Sequence, residues 1–489
     1  MRRCFTGFVV LFLALSCKPA PENDPVPCGY PAIFPDYIGV TVPVNIAPLN
    51  FDVTQPGADR VMAVVAGTNG DTLRCSSGDR TVRFPLKKWS ALLKANAGDS
   101  LVVTVSARHN GKRIVFRPFP IYVSGDSIDY GIVFRHIAPG YEVYSRMGIY
   151  ERELSSFRQK PLYENTLIPQ TCVNCHSFRQ ASPDSFVMHV RGEKGGTILQ
   201  QNGVLRYLQT KTDSTAGAFS YPCWHPSGKY IVFSINRTFQ SFHVTREDRV
   251  EVFDRLADIV VYDVQHNKVL DCGLLTTEDH ETYPVFSADG RMLYFCSAPA
   301  MNMPADYKKL KYNLCRVSFN PQDGTFGTET ETVIDAVALG KSIAMPVPSC
   351  DGRYIMFSIM DYGTFPINHR EADLALLNME TMEWHIPQAI NSNDVESYHS
   401  WSSNSRWVVF ASRRRDGLFV HPYFAHISSN GIAGKPFMLP QRNPQQFYDR
   451  LIYSYNCPEF VSGPVRLDLR QLERKANTMD KEQVGYESI

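Results

Sequence analysis

The sequence lacks an excess of charge of either sign. Its 489 residues include 50 lysines and arginines and 49 aspartates and glutamates, which gives a formal net charge of +1. A surface that attracts nucleic acid or another polyanion needs a clustered excess of positive charge. The balance therefore predicts that nucleic acid is not a partner of this protein.

The sequence also lacks a long apolar run outside its N-terminus. A membrane-spanning helix needs roughly 20 apolar residues, and the apolar run at residues 8–15 is shorter than that. Two arginines precede this run and small residues end it at Cys17, which is the order of a signal peptide. This segment resembles the lipobox of bacterial lipoproteins, and the resemblance implies removal of residues 1–16 and lipidation of Cys17. An ordinary secretory signal peptide is the alternative.

Export sets the expected location of the mature chain. The Pro-rich residues 17–29 are typical of a lipid anchor followed by a tether. We expect a lipoprotein of the bacterial cell envelope, held at the outer membrane and facing the periplasm. Its contact with the membrane would be through lipid alone.

No pattern of cysteines typical of a disulfide scaffold is present, although the chain has 12 cysteines. Most are widely scattered, and a chain of this length does not need disulfides to fold. One or two disulfides remain open. The sequence also has no Gly-x-Ser-x-Gly elbow, phosphate-binding loop or His-Glu-x-x-His helix. We therefore expect an electron carrier or a binding protein rather than an enzyme.

One cysteine pair does form a motif. Cys172 and Cys175 are followed directly by His176, and Cys-x-x-Cys-His is the attachment pattern of a c-type haem. The two thiols add to the porphyrin vinyl groups, and the imidazole binds the iron. The sequence therefore predicts haem c, with His176 as the proximal iron ligand. Structural cysteines, a zinc site and a thioredoxin-like redox pair are the alternatives.

A distal iron ligand is also expected from the sequence. Met188 and His189 follow His176 by 12 and 13 residues, near enough for the chain to fold back. On a strand their side chains point to opposite faces, so at most one of them reaches the iron. Each is also explained as an ordinary core or surface residue.

The region before the motif is predicted to be mainly β. Short apolar and β-branched runs separated by turn residues fill residues 30–135, which predicts a β-sandwich of immunoglobulin-like size. Its last strand is placed at residues 130–134. Residues 136–185 are interpreted as a bridge that carries the cysteine motif, with two helical turns at residues 149–157.

A repeat begins after the motif. The copy that starts Tyr221-Pro222-Cys223-Trp224 recurs at Tyr283, Met345 and Tyr398, and a partial copy begins at Asn456. Each full copy has a tight turn, such as Asp289-Gly290, and then an apolar strand. The full copies begin 62, 62 and 53 residues apart. Repeats of this length predict small sheets that stack side by side.

The repeat resembles that of the TolB-like, WD-repeat-like β-propeller family. The resemblance covers residues 186–470 and implies a β-propeller. The count of copies predicts five blades, with six as the alternative, and residues 471–489 are interpreted as a polar tail. Strands near residues 186–190, 197–199 and 204–208 have no copy of the motif before them. We expect them to complete the blade begun at residues 457–461 and so to close the ring.

Two functions follow from these features. The first is an exported haem protein that transfers electrons or senses redox state, with an unidentified redox partner protein. The second is a non-enzymatic binding module of the envelope, in which a protein or a glycan docks on the propeller and the cysteine motif is structural.

Overall fold

The computed structural model describes residues 26–109, 112–139, 146–210, 219–242 and 250–488. The expected signal peptide, Cys17 and most of the tether lie outside these residues. The prediction of a mainly β protein is confirmed. None of the helices in the described ranges has both the length and the apolar character needed to cross a membrane.

Ten strands and a helix make up the N-terminal part. The strands are β1 (Val26–Cys28), β2 (Ile33–Phe34), β3 (Thr41–Pro43), β4 (Phe51–Val53), β5 (Ala58–Gly67), β6 (Thr72–Ser77), β7 (Thr81–Val82), β8 (Ser100–His109), β9 (Lys112–Phe116) and β10 (Phe119–Ser124), and helix α1 is Leu86–Ala95. Seven of them form one sheet, with the path β1-β9-β8-β10-β3 and with β5 and β6 joined to β8; β2, β4 and β7 form a second sheet.

Within the described ranges, the other strands form six sheets, which we number as ring sheets. Ring sheet 1 contains β14 (Cys172–Phe178), β15 (Ser185–Arg191), β16 (Gly196–Gln201) and β17 (Val204–Gln209). Ring sheet 2 contains β18 (Phe219–Trp224), β19 (Tyr230–Phe242), β20 (Val250–Asp263) and β21 (Lys268–Asp271). Ring sheet 3 contains β22 (His280–Phe286), β23 (Met292–Ala298), β24 (Asn313–Asn320), β25 (Thr325–Phe326) and β26 (Glu331–Ile334).

The remaining three ring sheets follow the same plan. Ring sheet 4 contains β27 (Ser342–Pro348), β28 (Tyr354–Met360), β29 (Asp373–Asn378) and β30 (Trp384–His385). Ring sheet 5 contains β31 (Glu396–Trp401), β32 (Trp407–Ser412), β33 (His421–His426) and β34 (Phe437–Met438). Ring sheet 6 contains β35 (Ser454–Val461), β11 (Gly131–Ile137), β12 (Gly148–Glu153) and β13 (Gln159–Glu164).

The six ring sheets lie side by side around a centre. Their first strands, β14, β18, β22, β27, β31 and β35, contact one another in this order, and β35 also contacts β14. Buried apolar side chains fill each junction between two adjoining sheets, for example Ile231 and Leu199 between ring sheets 2 and 1. A single sheet cannot bury both of its faces, so each depends on its two neighbours. The arrangement is propeller-like.

The tight turn in each of the four full copies has a physical cause. Gly228, Gly290 and Gly352 have φ of 74°, 75° and 73°, a left-handed conformation that glycine adopts without steric cost. Ser405 takes the same place in ring sheet 5 with φ of 57°. The turns therefore place each second strand antiparallel to the first, as the repeat predicts.

Closure of the ring differs from the prediction. The strand begun at Cys457 pairs with β11, where Val133 faces Glu459 and Gly131 faces Val461. The strands expected to complete that sheet pair instead with β14 in ring sheet 1. The expectation was wrong because the motif at Cys172 is itself a first strand, which makes six ring sheets where five blades were favoured.

Several predicted boundaries also differ from the strand pattern. The strand expected to end the N-terminal sandwich at residues 130–134 is part of β11 in ring sheet 6. The expected bridge, residues 136–185, contains β12, β13 and β14, and β12 lies where two helical turns were expected. Alternation of charged and aromatic residues in this stretch suits a strand with two differently packed faces.

The C-terminal segment that was interpreted as a polar tail contains secondary structure within its described residues. After helix α2 (Pro444–Asp449) and strand β35, the chain forms helix α3 (Leu469–Asn477) and strands β36 (Glu482–Gln483) and β37 (Gly485–Ser488). Strand β36 pairs with β17 and β37 pairs with β21, both in parallel. This segment covers the outer edges of ring sheets 1 and 2.

The N-terminal part shares its core with the ring. One buried cluster joins Trp89 and Phe51 of the N-terminal part to Trp407 of ring sheet 5 and Tyr455 of ring sheet 6. Polar contacts support this junction, since the Tyr37 hydroxyl donates to the Met438 carbonyl at 3.4 Å. The N-terminal part is therefore packed against two of the ring sheets.

Candidate functional site at the centre of the ring

The cysteine motif forms the first strand of ring sheet 1. Val173 pairs with Val190 and Ser177 with Val187, and the register shifts between Asn174 and Ser177. Within this bulge Cys175 has φ of 47°, a conformation that is uncommon for residues other than glycine. The motif thus lies in a strongly constrained part of the fold.

The same bulge recurs in every ring sheet. The bulge residues with positive φ are Cys175 (47°), Tyr221 (45°), Tyr283 (51°), Met345 (53°), Tyr398 (41°) and Cys457 (49°), one from each first strand. We call these six residues the central ring. Cys175 and His176 therefore occupy the places that Tyr221 and Pro222 hold in the next ring sheet.

The central ring converges on the middle of the molecule. The rings of Tyr221 and Tyr283, from adjoining sheets, have centroids 4.4 Å apart. Burial raises the pKa of Tyr221 well above its ordinary value, and Tyr283, Cys175 and Tyr398 add to this effect. Tyr398 comes from ring sheet 5, so side chains from separated sheets come close together at the centre.

His176 is directed away from solvent. Its side chain is 1% exposed, and burial lowers the pKa of His176 to about 4, against a smaller opposing effect of the Val133 backbone. Val133 belongs to the second strand of the preceding ring sheet. The imidazole is therefore neutral near neutral pH.

His399 is the counterpart of His176 in ring sheet 5. It follows the bulge residue Tyr398 just as His176 follows Cys175. Its Nε2 lies 2.8 Å from the Met356 carbonyl oxygen, on the second strand of the preceding sheet. Burial lowers the pKa of His399 to about 4 as well. Two histidines thus occupy the same structural position in the repeat.

Glu459 approaches His176 from strand β35. Its Oε1 accepts a hydrogen bond from the Phe178 backbone N–H at 2.8 Å, and its Oε2 lies 3.9 Å from His176 Nε2. Burial raises the pKa of Glu459 to about 8, although the Phe178 N–H opposes the shift. Because both side chains favour their neutral forms, this contact is not an ion pair near neutral pH.

The thiols of the motif lie in different surroundings. Cys172 Sγ accepts from Asn174 Nδ2 at 3.3 Å and from Arg135 Nη2 at 3.8 Å. Cys175 belongs to the central ring, and so does Cys457 on the adjoining strand β35. Burial, together with Cys175, raises the pKa of Cys457 to about 12.

The two expected distal ligands point to opposite faces of β15, as a strand requires. Met188 is fully buried in a cluster with Phe186 and Tyr207. His189 Nδ1 lies 2.9 Å from Thr197 Oγ1, and burial lowers the pKa of His189 to about 3. Met188 is thus enclosed by apolar side chains, and one ring nitrogen of His189 already has a partner.

The space beside His176 Nε2 is occupied in this structure, by the carboxyl group of Glu459 at 3.9 Å. An iron bound at His176 Nε2, with its porphyrin, would take the space held by Glu459 and strand β35, because the imidazole is enclosed on that side. Two surface clefts of about 440 and 480 Å³ lie away from His176, the first near Arg206 and the second near Tyr122. No group of three or more metal-ligating side chains converges on a metal site in the described part of the chain.

The sequence patterns did not identify two acidic residues that lie near the centre of the ring. Asp254 on β20 accepts from Asn236 Nδ2 at 2.8 Å, and burial raises the pKa of Asp254 to about 6. Glu459 stands where the other copies have Ser177, Cys223, Val285, Val347 and Ser400. An alignment of all six copies would have identified Glu459 as the charged exception.

Comparisons with known proteins give distant structural similarities. No family model matches the chain, and no curated protein matches it. An oligogalacturonate lyase in complex with manganese matches with a TM-score of 0.35 and 10% identity, over 63% of this chain and 74% of that chain. A DUF4784 family protein from Bacteroides caccae matches with a TM-score of 0.32 and 8% identity, over 74% and 97%. An ancestral GH74 enzyme matches with a TM-score of 0.31 and 9% identity, over 80% and 63%.

Proposed function

We propose that this chain is an exported, non-enzymatic binding module of the bacterial cell envelope whose cysteine motif is structural. The observation that carries the proposal is the register of the motif. Cys175 and His176 take the places of Tyr221 and Pro222 in the repeat, so the fold already accounts for both residues. The signal segment and lipid anchor at Cys17 would place the module at the outer membrane.

We infer that the six ring sheets are the blades of one closed propeller, with the N-terminal sheets as a β-sandwich against ring sheets 5 and 6. The contact of β35 with β14 supports closure. Strand β35, the first strand of ring sheet 6, pairs with β11, which precedes ring sheet 1 in the chain. Opening the ring would therefore pull β11 away from β35. Closure of this kind suits a rigid docking platform.

A row of aromatic side chains that ends at an exposed ring, Phe239, supports docking of a protein or a glycan at that end. Phe239 and Phe253 of the β19–β20 hairpin have ring centroids 5.3 Å apart, Phe253 and Tyr307 are 6.1 Å apart, and Tyr307 and Tyr362 are 5.8 Å apart. Phe239 is 40% exposed. Lys308 lies over Tyr307, and aromatic rings beside a cation are typical of recognition surfaces.

The experiment that tests the structural cysteine motif is haem attachment. The full chain is expressed in cells that carry haem-attachment machinery, beside a c-type cytochrome that proves the machinery works. We expect the purified chain to carry no covalent haem in its reduced-minus-oxidised spectrum. A covalent haem that is lost in the double variant Cys172→Ala, Cys175→Ala would overturn the proposal and favour electron transfer.

Docking on the aromatic row is tested separately. Retention of the chain by immobilised envelope polysaccharides and by immobilised envelope proteins is measured for the wild type and for Phe239→Ala. We expect weaker retention for Phe239→Ala on one of the two supports. Val204→Ala, which removes a 61% exposed apolar side chain elsewhere, is the control. Equal retention of all three proteins on both supports would count against docking at Phe239.

A further inference from the structure

The geometry points to a disulfide between Cys175 and Cys457 that locks the first and last sheets of the ring together. This inference rests on the proposed structural role of the cysteine motif, because a thiol bonded to Cys457 cannot bond to a haem. It assigns Cys175 a partner outside its own motif. The predicted signal segment directs the chain to an oxidising compartment, where disulfides persist.

The register of the two strands brings the cysteines together. Both are bulge residues of first strands, with φ of 47° and 49°, and those strands, β14 and β35, contact each other. The equivalent pair two sheets further on, Tyr221 and Tyr283, already meets with ring centroids 4.4 Å apart. Neighbouring members of the central ring therefore point to a common space.

The two strands are also fixed to each other on one side of the cysteines. The Phe178 N–H donates to Glu459 Oε1 at 2.8 Å, and beyond it the Ser462 N–H donates to the Ala181 carbonyl at 2.8 Å. Because these hydrogen bonds already hold the two strands close together, a bond between the cysteines requires little backbone movement. The shift of the Cys457 pKa caused by Cys175 agrees with their proximity.

Other pairings are less compatible with the structure. Cys172 lies on the far side of the bulge, and its Sγ faces Asn174 and Arg135. Cys296 and Cys315 are buried on adjacent strands of ring sheet 3, but Cys296 is opposite Leu314 and Cys315 is opposite Phe295. Cys350 is exposed on a turn.

The chemistry is an exchange with a disulfide oxidant. Forming the Sγ–Sγ bond removes one proton and one electron from each thiol. An oxidant of the glutathione disulfide type takes up the two protons and two electrons and is reduced to two thiols. The reactive species is the thiolate, and burial disfavours the thiolate of Cys457 in the closed ring. Oxidation is therefore expected before the ring has fully closed.

Such a bond would join residues 282 positions apart in the chain. A cross-link across so long a loop restricts the unfolded chain most strongly. We expect reduction to lower the Tm of the wild type by about 3–6 °C, and to leave the Tm of Cys457→Ser unchanged. Cys172→Ser is the matched control and should respond to reduction as the wild type does.

The decisive experiment is peptide mapping of the full chain after export. Free thiols are alkylated in denaturant, the chain is digested without reductant, and linked peptides are identified by mass spectrometry. The expected result is a peptide pair joined through Cys175 and Cys457, which reduction with dithiothreitol separates.

The outcomes separate this inference from the proposed function. Alkylated Cys175 and Cys457 without haem, or a Cys172–Cys175 link, would overturn the disulfide and leave the binding module intact. Haem on the peptide that contains Cys175 would overturn both. Because the mapping uses the wild-type chain, a variant that fails to fold does not affect the answer.

Discussion

His176 and His399 occupy the same position in two sheets of the ring. Each follows a bulge residue with positive φ, each is buried, and each approaches the backbone of the second strand of the preceding sheet, at Val133 and Met356 respectively. The other four copies have proline at this place. The bulge therefore accommodates either proline or histidine at this position.

His176→Pro should consequently fold. The backbone conformation after the bulge already suits proline in four copies, so the free energy of unfolding should change by less than about 1 kcal/mol. Urea unfolding followed by tryptophan fluorescence measures the change. Val187→Pro on the neighbouring central strand, which removes a ladder hydrogen bond, is the control and should prevent folding. Loss of folding in His176→Pro alone would contradict the structural equivalence.

Glu459 should make stability depend on pH. Its pKa is raised from 4.5 to about 8 in the folded chain, so the folded state holds a proton that the unfolded state has lost between these values. Stability contributed by this group therefore falls as pH rises from about 4.5 to about 8. The buried histidines His176 and His399, with pKa lowered to about 4, act in the opposite sense between about 4 and 6.5.

The variant Glu459→Gln isolates the contribution of the carboxyl group. Its amide oxygen can still accept from the Phe178 N–H, and it cannot ionise. We expect its advantage over the wild type to grow from near zero at about pH 5 to the order of 2 kcal/mol at about pH 8.5. Urea unfolding across this range measures it, with the exposed Glu380→Gln as control. Parallel pH profiles for the wild type and Glu459→Gln would refute a raised pKa.

Removal of residues 481–489 should loosen the outer edges of two sheets. Strand β36 covers β17 and β37 covers β21, and Arg206 Nε donates to Glu482 at 2.7 Å. Without them, two strand edges are exposed to solvent and to other chains.

Hydrogen exchange by mass spectrometry detects that change. Amides of β17 and β21 should exchange faster in the truncated chain, while those of β28 in ring sheet 4 should not. Helix α3 remains in the truncated chain, and its Leu472 stays in the core. Unchanged protection of β17 and β21 would show that the C-terminal strands do not stabilise these edges.

The N-terminal part and the ring should unfold as one unit. Trp407 is fully buried in the cluster that both parts share, and Trp407→Ala should cost about 3–5 kcal/mol. Calorimetry should show one transition in the wild type and one, at lower temperature, in the variant. Trp384→Ala, which removes a less buried side chain, should shift the transition less. Two separate transitions in the wild type would contradict the shared core.

Much of the fold was predictable from local patterns. The turn of each full copy and the apolar strand after it identified four first strands and the partial copy at Cys457 correctly. The fold class followed from the same pattern. What the pattern did not reveal was the sixth copy, because Cys175 and His176 replace the aromatic residue and proline, and no Asp-Gly turn follows Phe178.

The candidate site was predicted less well than the fold. The Cys-x-x-Cys-His spacing directed attention to one segment, and that segment does lie at the centre of the ring. The neighbours of His176 are Glu459 and Val133, which are distant in sequence. Spacing within the motif carries no information about them.

The sequence by itself determined the mainly β composition, the repeat and the position of the motif beside it, since turns and strand alternation depend on neighbouring residues. Only the tertiary structure decided that β14 begins a sheet, that β11 completes the last one, and that the strands of Cys175 and Cys457 contact each other. The pairing of β11 with β35 joins segments more than 300 residues apart in the chain. Such pairing is selected by the burial of whole sheet faces, which no single motif encodes.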